Sequence, residues 1–166
     1  MKEINSFQAL DKIPYPLIII TAGDPEKPGR RGGMTAAWFT RVSWDPPPVA
    51  VSVAPSRYTY ELIKEYKAFA VHVVSKDMEK LAIGVFGSKS GRNMDKFKAI
   101  NMEPLKAKTV LAPIIPNAPV ILECKVIAEY SAGDHVIFIG EVVAAYTGST
   151  ANPMVWLGNK GIEVNK

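Results

Sequence analysis

The sequence is poor in the residues that build covalent or metal-based scaffolds. Among its 166 residues there is one cysteine, Cys124, and there are two histidines, His72 and His135. A single cysteine permits no intrachain disulfide and no Cys-based metal cluster, which points to a reducing compartment, the cytoplasm. Neither histidine has an acidic cluster beside it in sequence, so no zinc site is expected. No apolar run reaches the ~20 residues that cross a bilayer. The stretch MKEINSFQALDKIPYPLIII is interrupted by Asp11, Pro14 and Pro16 and reads as no signal peptide. No GxGxxG follows a strand, and there is no Walker-type loop and no Gly-x-Ser-x-Gly elbow. Dinucleotide binding of the Rossmann type is therefore not supported. Internal repeats and low-complexity segments are also missing.

What is present is ordinary for a soluble globular protein: 48% hydrophobic and 22% charged residues. The length suits one compact domain, residues 1–166, with a substantial core. A net charge of +4 favours anionic ligands, yet the Lys and Arg residues are scattered among 16 acids rather than gathered in a tract. Charge alone does not separate a nucleotide from a nucleic acid.

Strands dominate the pattern. Pro16 to Ala22 (PLIIITA) and Val49 to Val53 (VAVSV) are short β-branched runs, with a loop expected from Asp24 to Gly33 and a Pro-rich connector from Asp45 to Pro48. From Val120 to Tyr130 apolar residues alternate with a set that includes Glu123, Lys125 and Glu129, which predicts a strand with one wet face. The turn SAGD then leads into His135 to Tyr146, completing a long antiparallel hairpin. Helices are short: one with Tyr58, Leu62, Ile63 and Tyr66 on a face, one with Met78, Leu81, Ala82 and Val85 after a Ser75 cap, and one starting at Asn93. The fold class is mainly β with short helices, an antiparallel barrel.

Three blocks carry chemistry. In the first, Ser56, Arg57, Tyr58 and Thr59 precede a helix and offer hydroxyls, a guanidinium and unpaired N–H groups to one anion. A plain helix cap would use the same Ser and Thr. In the second, Phe86 to Phe97 (FGSKSGRNMDKF), Ser88, Ser90, Arg92 and Lys96 stand around Gly87 and Gly91, whose freedom lets backbone N–H groups turn around an anion. A bare Gly/Ser connection is the alternative. In the third, Gly133 to Val142 (GDHVIFIGEV), His135 sits at the mouth of a strand, either as a site residue or as a surface histidine closing a hairpin. His72, inside FAVHVV, is expected to be buried or half-buried. Arg30 and Arg31 in PGRRGG are read as parts of a solvent loop in preference to phosphate ligands.

In this order the three blocks resemble the flavin reductase-like proteins, over Met34 to Tyr146. The resemblance implies a split β-barrel that carries FMN and pairs as a homodimer. In that family the stretch resembling Met34, Thr35, Ala36, Ala37 and Trp38 lies along the flavin. The turn with Ser56, Arg57 and Thr59 and the loop with Ser88, Ser90 and Gly91, together with Lys96, hold its phosphate end. Ser52 joins this cofactor-binding set. The Gly-Asp-His turn lies where a nicotinamide stacks, so His135 is expected to position NAD(P)H or substrate. Family members often have Asn where this chain has His72. Small side chains at Ala36 and Ala37 suit a flat ring that needs close approach and backbone hydrogen bonds, although ordinary strand packing uses the same residues. The implied activity is FMN-dependent oxidoreduction with NAD(P)H. An FMN electron carrier docking with a redox partner protein is the alternative. A basic barrel binding single-stranded nucleic acid stands further behind, because the aromatics fall mostly within apolar strand patterns. Neither a metal nor a membrane partner is expected.

Overall fold

A computed structural model describes residues 1–165. In chain order its strands are β1 (Tyr15–Pro16), β2 (Ile18–Gly23), β3 (Arg31–Ala36), β4 (Phe39–Arg41), β5 (Pro48–Val53), β6 (Ala68–Val73), β7 (Leu105–Lys106), β8 (Pro113–Ile114), β9 (Ile121–Ala132), β10 (His135–Tyr146), β11 (Met154–Leu157) and β12 (Lys160–Glu163). The helices are α1 (Ser6–Leu10), α2 (Tyr58–Tyr66), α3 (Glu79–Leu81) and α4 (Lys96–Ala99). A 3₁₀ turn (Lys76–Met78) leads into α3, and a π-helical turn (Ala82–Gly87) leads out of it.

One seven-stranded antiparallel sheet, ordered β3-β2-β6-β9-β10-β5-β4, organises the molecule. Its two edge strands, β3 and β4, are consecutive in sequence and joined only by Ala37 and Trp38. Edges that share so short a connector must lie close, so the sheet curls into a barrel. Among the described residues β3 pairs only with β2, which leaves the barrel split along that seam. A bond from the Ser52 N–H to the Trp38 carbonyl, 3.0 Å, fastens the connector to β5.

Both faces of the sheet are covered. Along β2, Ile18 and Ile20 enter a core inside the barrel with Val51, Leu62, Phe69 and Phe138. Ile19 points the other way, into a second core with Phe86, Phe97, Ile115 and Met154. Burial on two faces explains why this strand reads as an unbroken apolar run.

Several expected boundaries shift. The loop after β2 ends at Arg30, and Arg31 to Gly33 already belong to β3. Pro16 lies in β1, in a small sheet with β11 and β12 that the sequence pattern did not suggest. The third helix starts at Lys96, not Asn93, because Asp95 caps it by accepting from the Phe97 and Lys98 N–H groups. Ser75 precedes the 3₁₀ turn, but its hydroxyl bonds Asp77 and not a backbone N–H. Glu123, placed on the wet face, is 1% exposed. Its carboxylate takes the N–H groups of Lys108 and Thr109 at 2.9 and 2.7 Å, an internal cap for that loop. Conversely Tyr130, expected to share the apolar face, is 62% exposed near the hairpin tip.

Candidate functional site

The first and second blocks meet. Ser56, Arg57, Thr59, Ser88, Ser90, Gly91 and Lys96 line one recess of about 180 Å³, with Gly33 of β3 at its inner wall. Arg57 occupies the N-cap position of α2 in extended geometry, with no side-chain cap bond. Ser56 is exposed, whereas Thr59 is 2% exposed. Ser88 bonds within its own segment, from its hydroxyl to the Gly84 carbonyl at 2.5 Å.

Three cations line the recess, the exposed Arg57 and Lys89 and the buried Lys96. The Lys96 Nζ donates to the carbonyls of Gly33 at 2.8 Å and Phe86 at 3.0 Å. Among the described residues no carboxylate pairs with it. Burial, reinforced by the nearby charge of Arg57, lowers it from 10.5 to about 8. A buried ammonium with two neutral acceptors keeps one N–H and most of its charge for an anion. The two loops around it are held together. Arg92 donates to the Ser56 carbonyl at 2.5 Å and pairs with Glu61. Gly91 packs against Tyr58 so tightly that a Cβ there would lie 2.7 Å from the ring.

The recess continues along the open edge. Met34 and Arg57 also line a second depression of about 190 Å³, with Thr35, Ala36, Ala37, Trp38, Ser52, Ala54 and His135. The Gly33 carbonyl points away from β2, toward Lys96. Backbone groups alternate along an antiparallel strand, so the N–H and C=O of Thr35 face the same unpaired side. The Thr35 hydroxyl is already used, on the Ala82 carbonyl. At the far end Trp38, 54% exposed, packs against His135 with ring centroids 4.8 Å apart. The Asp134 carboxylate lies 2.7 Å from Nδ1 of His135 and is held below the usual carboxylate range by that hydrogen bond. On the other side of Thr35, Ala36 and Ala37 lies an apolar recess of about 380 Å³, walled by Leu17, Ile83 and Trp156. Ile83 and Trp156 escaped the sequence reading, since nothing local distinguishes them from core residues.

Two arginines part ways. Arg30 stays at the surface, paired with Glu65, as expected of a solvent loop. Arg31, read the same way, is 2% exposed and bonds Asp95 and Glu103 at 3.0 and 2.9 Å. His72 lies outside the trough and is fully buried. Its Nδ1 faces the Ile19 carbonyl at 3.2 Å, and its Nε2 accepts the Ile115 N–H at 3.0 Å. Burial lowers it from 6.5 to about 4, so it is a neutral structural link. Among the described residues no three of His, Cys, Asp and Glu converge as a metal site. Among the described residues no helix is long and apolar enough to cross a membrane.

The fold is a split barrel with a cationic, hydroxyl-lined recess at one end of an open strand edge. Residues 10–161 match the Flavin reductase like domain, and the chain belongs to that family. It is 36% identical over 138 residues to the FMN reductase (NADH) SmoA of Agrobacterium fabrum, covering 82% of this chain and 72% of that one. It is 34% identical over 149 residues to the high molecular weight rubredoxin of Moorella thermoacetica, covering 90% of this chain. The chain spans 63% of that rubredoxin and 56% of a relative from Aeropyrum pernix. The flavoredoxin of Desulfovibrio vulgaris superposes with a TM-score of 0.87 at 27% identity, covering 100% of this chain and 94% of that one.

Proposed function

We propose that this chain is an FMN-binding oxidoreductase that takes hydride from NAD(P)H and delivers electrons to free flavin or another acceptor. The observation that carries the proposal is Lys96, a buried cation with no carboxylate partner among the described residues, facing a recess ringed by Ser56, Arg57, Thr59 and Ser90. The lining fits a phosphate monoester, with three cations, Arg57, Lys89 and Lys96, for its charge and hydroxyls for its oxygens. When bound, the flavin supplies the redox chemistry, accepting a hydride and passing electrons onward. The unpaired edge at Thr35 would orient the ring rim, while Ala36 and Ala37 admit close approach. Trp38 and His135 form the wall against which a nicotinamide or other flat substrate would be positioned, and hydride transfer asks no proton of His135.

An apolar groove of about 750 Å³, lined by Phe7, Leu10, Tyr15, Phe39 and Ile137, runs up to Trp38. In our reading a second copy covers it, making a homodimer with the flavin near the seam; sedimentation of the flavin-bound protein as a monomer would sink that part. The cytoplasm is the compartment this chemistry suits, with Cys124 buried as a free thiol.

Desalting after incubation with FMN should leave a flavin absorption band, and Arg57→Ala or Ser90→Ala should weaken its retention. Undiminished affinity in both variants would remove the assignment. The similarity to a flavoredoxin and to a rubredoxin-named protein favours one second reading, an FMN carrier reduced by a partner protein. Bleaching of the bound flavin by NADH or NADPH selects the enzyme; a flavin that stays oxidised under both yet accepts electrons from a low-potential donor selects the carrier.

A further inference from the structure

We propose that Arg31 is a positioning residue for the phosphate anchor, acting through Asp95 and α4 to hold the Lys96 ammonium over the recess; this rests on the phosphate reading above. α4 spans only Lys96–Ala99, too short to hold itself by its own hydrogen bonds, so its placement is imposed from its first turn. That turn hangs on Asp95, whose carboxylate is divided. Oδ1 accepts the N–H groups of Phe97 and Lys98 at 3.0 and 3.3 Å, and Oδ2 accepts from Arg31 Nε at 3.0 Å. The pair is enclosed, with side chains 1% and 10% exposed.

Arg31 is itself fixed by the Pro25 carbonyl and Glu103, and its guanidinium lies 5.5 Å from the centre of the Phe97 ring. Lys96 then returns to Gly33, two positions along the strand that carries Arg31. Strand, carboxylate, helix and ammonium thus form a closed loop, in which a shift of Asp95 is passed directly to Nζ. The guanidinium has a second effect. It occupies the one carboxylate beside Lys96 in sequence, which would otherwise compete with the ligand for the ammonium.

The test compares Kd values for FMN and riboflavin, which differ only in the phosphate, in the full-length protein. Arg31→Lys keeps the charge but loses the planar fork, and Asp95→Asn keeps a capping oxygen while removing the ion pair. Each should weaken FMN about tenfold and leave riboflavin within about twofold, a split that a general loosening of the fold would not produce. Added to Lys96→Met, either change should cost nothing further, because both act through the same ammonium. FMN-to-riboflavin ratios unchanged from wild type in Arg31→Lys and Asp95→Asn, with Lys96→Met still losing the ratio, would overturn the positioning role and spare the phosphate site. A Lys96→Met protein that keeps the full ratio would overturn both.

Discussion

Phosphate anchoring by Lys96, as proposed, would carry a pH signature. Burial and the neighbouring Arg57 hold its ammonium at about 8 instead of 10.5, so in the free protein it loses its proton near pH 8. A phosphate dianion beside it favours the charged form and drives its pKa back up. Between the two values the anion must bind together with a proton, so affinity falls as pH rises through 8 and levels off near 10.5. If the bound lysine regains its ordinary value, linkage makes FMN binding about tenfold weaker at pH 9 and about 30-fold weaker at pH 9.5 than at pH 7. Titrating the apo-protein with FMN and riboflavin in parallel, by loss of flavin fluorescence, reads this directly. Riboflavin shares the ring and its ionisation but lacks the phosphate, so its Kd should follow only the ring. Lys96→Met should bind FMN about 10- to 100-fold more weakly at pH 7, the loss of one charged hydrogen bond, with no step near pH 8. Parallel pH curves for the two ligands, or a step that survives in Lys96→Met, would refute the reasoning.

Three further outcomes follow from other parts of the trough and core. Trp38→Ala should weaken FMN and riboflavin alike, because in the proposed site Trp38 would meet the ring end and not the phosphate, and thermal stability should hardly change for a residue 54% exposed. His72 is neutral when folded and binds a proton when unfolded between pH 6.5 and about 4, so stability falls as pH drops through that window. The loss is on the order of 3 kcal/mol by pH 4, and His72→Gln should flatten that limb of a melting-temperature profile. Gly91→Ala would drive a methyl into Tyr58 at 2.7 Å and disturb the bond from its hydroxyl to the Gly29 carbonyl. An overpacking cost of about 1–3 kcal/mol, seen as a drop of several degrees in melting temperature, should accompany weaker FMN binding.

Much of the site was legible because its parts are local. A Ser-Arg-x-Thr turn before a helix and a Gly/Ser-rich loop ending in Asp-Lys-Phe are contiguous signals, and the fold brings them together around Lys96. The two-residue path from Thr35 and Ala36 to Trp38 was visible as small residues before an aromatic. What remained hidden depends on tertiary partners. Arg31 reads as a loop cation between glycines, and only a carboxylate 64 positions away turns it into a core residue. Glu123 follows the polar phase of its strand, yet the N–H groups of a loop fold over it and make its burial tolerable. Trp156 reaches the apolar recess because β11 pairs with β1, a contact between strands too short to show periodicity.

The topology explains why the proposed ligand trough lies where it does. Among the described residues, only β3 and β4 of the main sheet have unpaired edges, and the chain runs directly from one to the other. Had β3 paired with the opposite edge of the sheet across the seam, the outward N–H and C=O of Thr35 would be consumed and Gly33 could not receive Lys96. An exposed edge normally invites pairing with another chain. Here the Lys96 ammonium blocks the edge at Gly33, and the Trp38 connector bends away toward β5, leaving a short stretch of free backbone. That stretch is long enough for the rim of one ring and too short for a strand. Inserting one residue after Ala37 tests the point: the connector should slacken and the Ser52-to-Trp38 bond should break. Ring affinity, measured with riboflavin, should then fall while inorganic phosphate still competes with FMN. Unchanged riboflavin binding would show that the seam does not set the ring's place.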